Sequence, residues 1–430
     1  MTNDEIIKLK QENERLRRAI DELSILNDIA TAINTTMTVE QLIDLIVRKC
    51  INLLKVEQAV VMLLDETKID DPFQTMIRRA DRTSRIMPIK LDTQLTGWML
   101  KHEKPLVIND FAKDDRFQKV VDDFFPIRSL LSVPLITQNR MIGQLTVFNK
   151  ALTSVFTSDD ERLLSIIATQ SAQVIENARL QEEEHNLQLI TKDFEVAREI
   201  QVNLLPKENP QFPGFDIAGK SIPAKFVGGD CFDFISVNDN RLAVSLGDVS
   251  GKGLSAALLM ANLQASIRAQ TLINSMPKKC LEKCNRLLYD STDSEKYATH
   301  FYAILDNRKN QICYANAGHN RPILFGKNKP PIQLETAGLM LSIFKDHEYE
   351  QSEVCLDPGD LLLIYSDGIT EAMTVQDEEY GEQRLTQFVE TVKYKSAHEV
   401  IDLILNDVKS FVKGHPQSDD MTMIVIKNVN

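Results

Sequence analysis

The sequence predicts an α+β protein with two domains joined by a long helix, and three observations lead to this prediction. The chain has 430 residues, which is more than one hydrophobic core normally organises. Strand-like and helical patterns occur together in both halves, with a long polar helical pattern between them. Apolar residues make up 43% and charged residues 26%, which is typical of a globular rather than a disordered protein.

The charge and cysteine content restrict the partners and the compartment of the protein. The net charge is −13, from 49 basic and 62 acidic residues, and such a surface repels nucleic acids and anionic membranes. No apolar run approaches the ~20 residues that cross a membrane, and the charged N-terminus is unlike a signal peptide. The six cysteines are scattered without a CxxC pair, which indicates reduced thiols. We therefore expect a cytoplasmic protein that neither spans a membrane nor binds nucleic acid.

Residues 1–24 have the heptad pattern of a coiled-coil helix. Apolar residues recur at two heptad positions with charged residues between them, and Asn13 occupies one of these positions. A single asparagine in such a seam favours a parallel, in-register dimer. Two alternatives stay open: a homodimeric coiled coil, or one amphipathic helix packed on its own domain.

Residues 25–175 mix helical and strand patterns, which indicates a separate α+β domain. The first helical stretch covers 26–54, with Thr38 as its predicted N-cap. Three strand-like segments follow, of which the last two surround a turn and predict a β-hairpin: 59–64, 129–136 and 141–148.

A long helix is predicted to begin near Asp159, after a capping box formed by Ser158 and Glu161. It ends before Pro206, since proline interrupts helical hydrogen bonding. Its central part is too polar for a core, so residues 176–206 are predicted to be a helical linker that couples two domains rigidly. The alternative for the charged stretch is a solvated helix face.

Four aspartates at strand ends are the candidate chemical groups of the C-terminal half: Asp230, Asp248, Asp367 and Asp419. If Asp239 is the centre of a hairpin loop, Asp230 lies opposite Asp248. Each aspartate alone is more often a turn residue. Four together, with no basic residue written beside them, predict a site for hard cations such as Mg²⁺ or Mn²⁺, because like charges need a cation or raised pKa values.

Eight segments occur in order over the C-terminal ~235 residues: AREIQVNLLP (197–206), VGGDCFDF (227–234), GDVSGKGLSAALLM (247–260), HFYAILD (300–306), NAGHNRPIL (316–324), GDLLLIYSDGITEA (359–372), YGEQRL (380–385) and SDDMTMIVI (418–426). Together they resemble the protein phosphatase 2C superfamily, in particular its bacterial branch of stage II sporulation E and sigma-factor-regulating phosphatases. The resemblance implies that residues 207–430 form an αββα sandwich, two antiparallel sheets flanked by helices, with metal ions at one end.

The resemblance also implies roles for individual residues in binding two Mn²⁺ or Mg²⁺ ions. Asp248 would bridge both ions, and water shared by them would attack phosphorus without a Cys or Ser nucleophile. Lys252 stands where much of the superfamily has histidine, and His319 is expected to be structural or at the rim of the site. The implied metal ligands are Asp230, Asp248, the carbonyl of Val249, Asp367, Asp419 and, in place of the usual asparagine, Asp420.

Residues 25–175 resemble a GAF domain through the segments 95–117, 129–150 and 156–180. The resemblance implies a central antiparallel sheet with helices on one side. Asn149-Lys150, Phe156 and Asp160-Glu161 match a pattern of cyclic-nucleotide-binding GAF domains. Phe156 also fits a core residue, and Asp160-Glu161 also fit first-turn acids that favour the helix dipole. Three alternatives stay open: a cyclic nucleotide, another small-molecule ligand, or a ligand-free module for dimerisation or partner binding.

The leading functional hypothesis is therefore a signalling serine/threonine phosphatase that is regulated by its GAF domain within a homodimer. By resemblance, its substrate would be phosphoserine or phosphothreonine on a protein partner, an anti-sigma-factor antagonist. The alternative is a pseudophosphatase that binds a partner without turnover, although it would not need four mutually repelling acids. A nucleotide cyclase is excluded because no cyclase segment follows the linker.

Overall fold

The computed structural model describes residues 38–64, 73–79, 93–117, 127–151, 154–274, 276–293, 295–336 and 338–430, with positions 8, 9, 12, 13 and 16 near the N-terminus. Apart from those positions, the predicted coiled coil of 1–24 lies outside the described residues, as does the part of the first predicted helix before Thr38. The chain divides into two compact units, Met1–Gln188 and Leu189–Asn430. Among the described helices, none is long and apolar enough to cross a membrane.

The first unit is built around one antiparallel sheet of order β2-β1-β5-β4-β3. One face packs on helix α1 and the first part of helix α3, and the other packs on α2 and two short 3₁₀ turns at 111–117. Its elements are α1 (Val39–Leu54), β1 (Val56–Leu64), β2 (Phe73–Arg79), α2 (Thr93–His102), β3 (Leu106–Ile108), β4 (Leu130–Thr137), β5 (Arg140–Lys150) and α3 (Ser158–Leu204).

Local sequence signals explain how these elements begin and end. Thr38 caps α1 through a capping box with Gln41, as predicted. The predicted hairpin is β4–β5, and its two turn residues, Gln138 and Asn139, both have positive φ (49° and 61°), as in the tight turns that suit strand twist. The predicted cap of α3 was wrong by one residue: Thr157 exchanges hydrogen bonds with Asp160, and the helix begins at Ser158.

The second unit is an αββα sandwich, which confirms the predicted fold class. Its sheets have the orders β13-β10-β9-β8-β7 and β12-β11-β14-β15-β6, and apolar side chains fill the space between them. Its strands are β6 (Phe215–Ile222), β7 (Cys231–Asn238), β8 (Arg241–Val249), β9 (Ala298–Asp306), β10 (Gln311–Ala317), β11 (Ile323–Phe325), β12 (Ile332–Gln333), β13 (Ser352–Cys355), β14 (Leu361–Tyr365) and β15 (Met421–Asn428).

Two pairs of helices cover the outer faces of the sandwich. The first sheet is covered by α4 (Leu254–Thr271) and α5 (Pro277–Ser291). The short α6 (Asp367–Thr370) follows β14, and the second sheet is covered by α7 (Glu382–Val392) and α8 (Ala397–Val412). Apolar side chains of these helices pack on the outer faces of the two sheets.

A buried charge joins the first sheet of this unit to helices α3 and α4. Asp233 on β7 is 1% exposed, and Arg268 on α4 contacts it through Nε (2.5 Å) and Nη2 (3.1 Å). Gln264 and Arg268 also donate to the carbonyl of Leu204, the last residue of α3. The buried Asp233 carboxylate is therefore paired with the Arg268 guanidinium, and the Leu204 carbonyl at the end of α3 is hydrogen-bonded.

Replacing Arg268 by methionine should destabilise the second unit. The variant leaves the carboxylate of Asp233 buried without a cation, and we expect a loss of about 2 kcal/mol or more in the free energy of unfolding. Urea denaturation measures it, and Asp233→Asn in the Arg268→Met background should recover part of the loss. Arg286→Met, which breaks an exposed ion pair with Asp346, is the control and should cost about 0.5 kcal/mol or less.

Candidate functional site

The β7–β8 hairpin brings Asp230 and Asp248 to the same end of the first sheet. Cys231 pairs with Gly247, so the predicted register, in which Asp230 lies opposite Asp248, is confirmed. The turn differs from the predicted three-residue loop, since a register shift after Ser236 leaves a two-residue turn. The register was predictable because strand side chains alternate and a slip by one residue would expose the buried face.

Asp367 and Asp419 reach the corresponding end of the second sheet. Asp367 is the first residue of α6, two positions after the end of β14, and Asp419 lies two positions before β15. Strands β14 and β15 pair with Tyr365 opposite Met423, so the two aspartates lie beyond the same pair of strand ends. Because the two sheets face each other, the structure brings all four predicted aspartates to one end of the sandwich.

The pKa values of three aspartates show that they share one region of negative potential. Burial and then the charges of Asp367 and Asp419 together raise the pKa of Asp248 to about 7. Burial and then the charge of Asp248 raise the pKa of Asp230 well above its usual value. Burial and the charge of Asp419 also raise the pKa of Asp367. Ionising all of them in the folded state is therefore unfavourable without a cation.

The donor chemistry fits a hard divalent cation. Asp230 is 4% exposed, and its buried Oδ2 has no hydrogen-bond partner among the residues that the structure describes, which is rare for a carboxylate oxygen. Within the described residues, no three His, Cys, Asp or Glu side chains converge closely enough to hold one ion by themselves. Mg²⁺ commonly keeps several waters and takes only one or two carboxylates, so the set fits a hydrated ion rather than a closed protein cage.

Asp420 is engaged with backbone groups of the loop before β7. It is 6% exposed and accepts hydrogen bonds from the amides of Ala224 (2.8 Å), Gly229 (2.6 Å) and Asp230 (3.3 Å). A Cβ on Gly228 would lie 2.2 Å from its Oδ2, so only glycine fits there. Asp420, the sixth predicted ligand, therefore fixes the loop that carries Asp230.

Lys252 contacts one of the predicted ligands. Its Nζ lies 2.9 Å from Oδ2 of Asp419 and donates to the carbonyl of Ser418 at 2.8 Å. The sequence shows no basic residue beside Asp419, because the two partners are more than 160 positions apart. The Asp419 carboxylate raises the pKa of Lys252, so the lysine is charged.

The buried thiols and imidazoles near the site are poor candidates for chemistry. Burial, followed by the charge of Asp230, raises the pKa of Cys231 far above that of a free thiol. Burial lowers the pKa of His319 to about 4 and that of His300 to about 3, so both are neutral at pH 7. His319 Nδ1 forms a hydrogen bond with the hydroxyl of Thr299, and its predicted role, structural or at the rim of the site, stays a prediction.

Gln201 is a contact of the site that sequence reasoning missed. This residue of α3 is 8% exposed, donates through Nε2 to the carbonyl of Gly228 (2.7 Å) and accepts from the Gly228 amide through Oε1 (2.9 Å). The loop before Asp230 is therefore held on one side by Asp420 and on the other by α3. Only its place in the segment AREIQVNLLP could have drawn attention to it.

The residues of the cyclic-nucleotide pattern in the first unit form a structural cluster. Lys150 makes an ion pair with Asp160 and lies 5.7 Å from the ring centre of Phe156. Phe156 is buried in the core, and the side chain of Asn149 bonds to the amide of Arg128 and to Glu57. These contacts account for the pattern without a ligand, while the choice among the three alternatives for this domain stays open.

Comparisons with known proteins identify both halves. The family model "Stage II sporulation protein E (SpoIIE)" matches residues 238–428, and the model "GAF domain" matches 38–175. Phosphoserine phosphatase RsbU of Bacillus subtilis is 30% identical over 241 residues, 56% of this chain and 71% of RsbU. Phosphoserine phosphatase RsbP of the same organism is 26% identical over 184 residues, 41% of this chain and 45% of RsbP.

A structural neighbour has a lower similarity. The PP2C domain of SiaA from Pseudomonas aeruginosa matches with 20% identity and a TM-score of 0.49, over 56% of this chain and 97% of that domain. Because this TM-score is below 0.5, the family assignment rests on the sequence relatives and not on this structure.

Asp248→Asn should stabilise the protein in EDTA at pH 8. The folded-state pKa of about 7 lies above the ordinary 3.8, so the wild type loses stability as pH rises from about 4 to about 7. The asparagine removes this cost, and we expect a melting temperature higher by roughly 3 °C at pH 8 and a smaller gain at pH 5. Asp239→Asn, in the exposed turn of the same hairpin, is the control; an equal gain for both variants would contradict the prediction.

Gln201→Leu should loosen the loop that precedes Asp230. The variant removes both hydrogen bonds to Gly228, so the amides of 228–230 should exchange with deuterium about tenfold faster, as expected for the loss of ~1.4 kcal/mol. Hydrogen-exchange mass spectrometry measures this. Asn203→Leu, an exposed residue two positions along α3, should leave the loop as protected as in the wild type.

Proposed function

The chain belongs to the bacterial PP2C-type phosphatases of the SpoIIE and RsbU family, with an N-terminal GAF domain, and we propose that it is a signalling protein serine/threonine phosphatase. The observation that carries the proposal is the cluster of four aspartates at one end of the sandwich. The pKa values of Asp230, Asp248 and Asp367 are raised, and a buried oxygen of Asp230 has no hydrogen-bond partner within the part of the chain that the structure describes. A folded domain keeps such a cluster only where a cation or a proton offsets the repulsion.

Two Mn²⁺ or Mg²⁺ ions are the proposed cofactors. Asp248, Asp367 and Asp419 would hold them together with the carbonyl of Val249, and Asp230 would lie against them as a ligand or as a partner of their waters. Divalent cations there lower the pKa of a bound water and offset the charge of phosphoryl oxygens. Gly229 supports this role for Val249, because a Cβ at that position would lie 2.9 Å from the Val249 carbonyl oxygen.

The remaining residues of the site bind and orient the substrate. Lys252 is a charged ammonium between Gly251 and Gly253, directly before the N-terminus of α4, where the helix dipole also favours an anion. It can attract the phosphoryl group of a substrate. The protonated thiol of Cys231 agrees with attack by water rather than by a protein nucleophile.

The substrate and the regulation are proposals that follow from the relatives and from α3. RsbU and RsbP are named phosphoserine phosphatases, which supports phosphoserine or phosphothreonine on a protein partner, an anti-sigma-factor antagonist. The proposed domains are the GAF domain at 25–175, the linker at 176–206 and the phosphatase at 207–430. A GAF signal, from dimerisation or from a small ligand, would reach the loop before Asp230 through α3 and Gln201. Reduced cysteines agree with a cytoplasmic location.

The full chain should hydrolyse p-nitrophenyl phosphate and a phosphoserine peptide in the presence of Mn²⁺. EDTA should abolish turnover, and Asp248→Asn should lower kcat at least 100-fold, because removing charge-stabilising groups costs several kcal/mol in the transition state. Release of p-nitrophenolate and of inorganic phosphate measures the two reactions. Asp239→Asn is the matched control and should be as active as the wild type.

The pseudophosphatase alternative predicts a different result. The protein would bind Mn²⁺ by calorimetry, or a phosphoprotein, without turnover of either substrate in any variant. Loss of Mn²⁺ binding in Asp367→Asn with retained partner binding would then separate the two roles.

A further inference from the structure

An apolar groove of about 900 Å³ lies beside the aspartate cluster in the second unit. The end of β6 and the start of β15 contribute Ile222 and Met421, helix α8 contributes Leu405 and Val412, and the turn after α6 contributes Met373. Each of these five side chains is only partly buried. The fold therefore leaves apolar surface open to solvent at this place, where burial would be favourable.

The groove shares one wall with the cleft at the aspartate cluster, which is lined by Asp248, Lys252, Asp419 and Asp420. Gln417 and Ser418 line the groove, and Asp419 lines the cleft on the other side. Nε2 of Gln417 donates to the carbonyls of Ile222 (2.9 Å) and Asp419 (2.7 Å), and the carbonyl of Ser418 accepts from Lys252. A group bound in the groove therefore lies next to the segment that presents Asp419.

The charge at the groove is opposite to that of the chain as a whole. Lys409 and Lys413 line it, are exposed, and have no ion-pair partner among the residues that the structure describes. Lys220 also lines it and is paired with Asp402 at 2.8 Å. In a chain of net charge −13, two free cations beside an apolar groove favour a partner that is acidic and carries an apolar side chain.

We propose that this groove docks the phosphoprotein substrate. An apolar side chain of the substrate fills the groove, acidic side chains beside it face Lys409 and Lys413, and its phosphoserine extends past Gln417–Asp419 to the aspartate cluster. The inference rests on the proposed phosphatase function, and it adds the substrate class: an acidic protein with an exposed apolar residue near its phosphoserine. Two observations support the inference: the groove is continuous with the cleft at the aspartate cluster, and its lysines complement the charge of an acidic partner.

The test compares two substrates with the full chain and Mn²⁺: phosphorylated casein, an acidic phosphoserine protein, and p-nitrophenyl phosphate, which is too small to reach the groove. The variants are the double charge reversal Lys409→Glu/Lys413→Glu and, separately, Leu405→Glu. Lys283→Glu, an exposed lysine on α5, is the matched control. We expect the KM for casein to rise at least tenfold more than the KM for p-nitrophenyl phosphate in both groove variants, and no such difference in the control.

A second measurement separates this inference from the proposed function. Casein binding to Asp248→Asn, followed by fluorescence anisotropy, should weaken at least tenfold when the two lysine reversals are added. Equal binding with and without the reversals, or equal kinetic losses on both substrates, overturns the docking site even if the enzyme is active. If casein binding depends on the two lysines but no variant shows turnover, the docking groove is supported and the phosphatase function is rejected. If the variants change only the molecular mass measured by light scattering, the groove is an interface between two copies of the chain. That result also overturns the proposal.

Discussion

The mutual repulsion of carboxylates at one end of the sandwich is the constraint on which the second unit depends. Asp230 and Asp248 come from one sheet, Asp367 and Asp419 from the other, and burial removes the water that would screen them. Hydrogen bonds to the backbone supply the restraint: the side chains of Asp420 and Gln201 both hold the loop before Asp230. The sandwich core behind them fixes the strand ends, so the aspartates stay close without a covalent link.

The regular elements could be predicted from the sequence because their signals are local. The hairpin that places Asp230 opposite Asp248 follows from strand alternation and from turn residues near Asp239. The buried run before Asp367 and the apolar strand after Asp419 are equally local signals. The capping box of α3 was predicted one residue too late, because Thr157, Ser158 and the acids that follow offer two overlapping boxes and local propensity does not choose between them.

The contacts that tune the site could not be predicted, because they join residues far apart in the chain. Lys252 pairs with Asp419, and Gln201 and Asp420 form hydrogen bonds with Gly228 and Gly229. No periodicity or spacing in the sequence predicts these contacts. In the first unit, by contrast, the sequence contains a recognisable pattern, but structural contacts explain it. A pattern typical of ligand-binding relatives is occupied by an ion pair, a core aromatic side chain and a loop contact, so pattern alone overstates the evidence for a ligand.

The burial of Cys50 and Cys231 has a consequence for oxidative stress. Peroxides attack thiolates, and burial raises the pKa of Cys50 to about 12 and that of Cys231, beside the aspartates, higher still. Phosphatases that use a cysteine nucleophile need a reactive thiolate and lose activity when it is oxidised. The centre proposed for this protein is made of carboxylate oxygens and has no such group, so the proposed phosphatase would stay active under oxidising conditions that stop cysteine-based phosphatases.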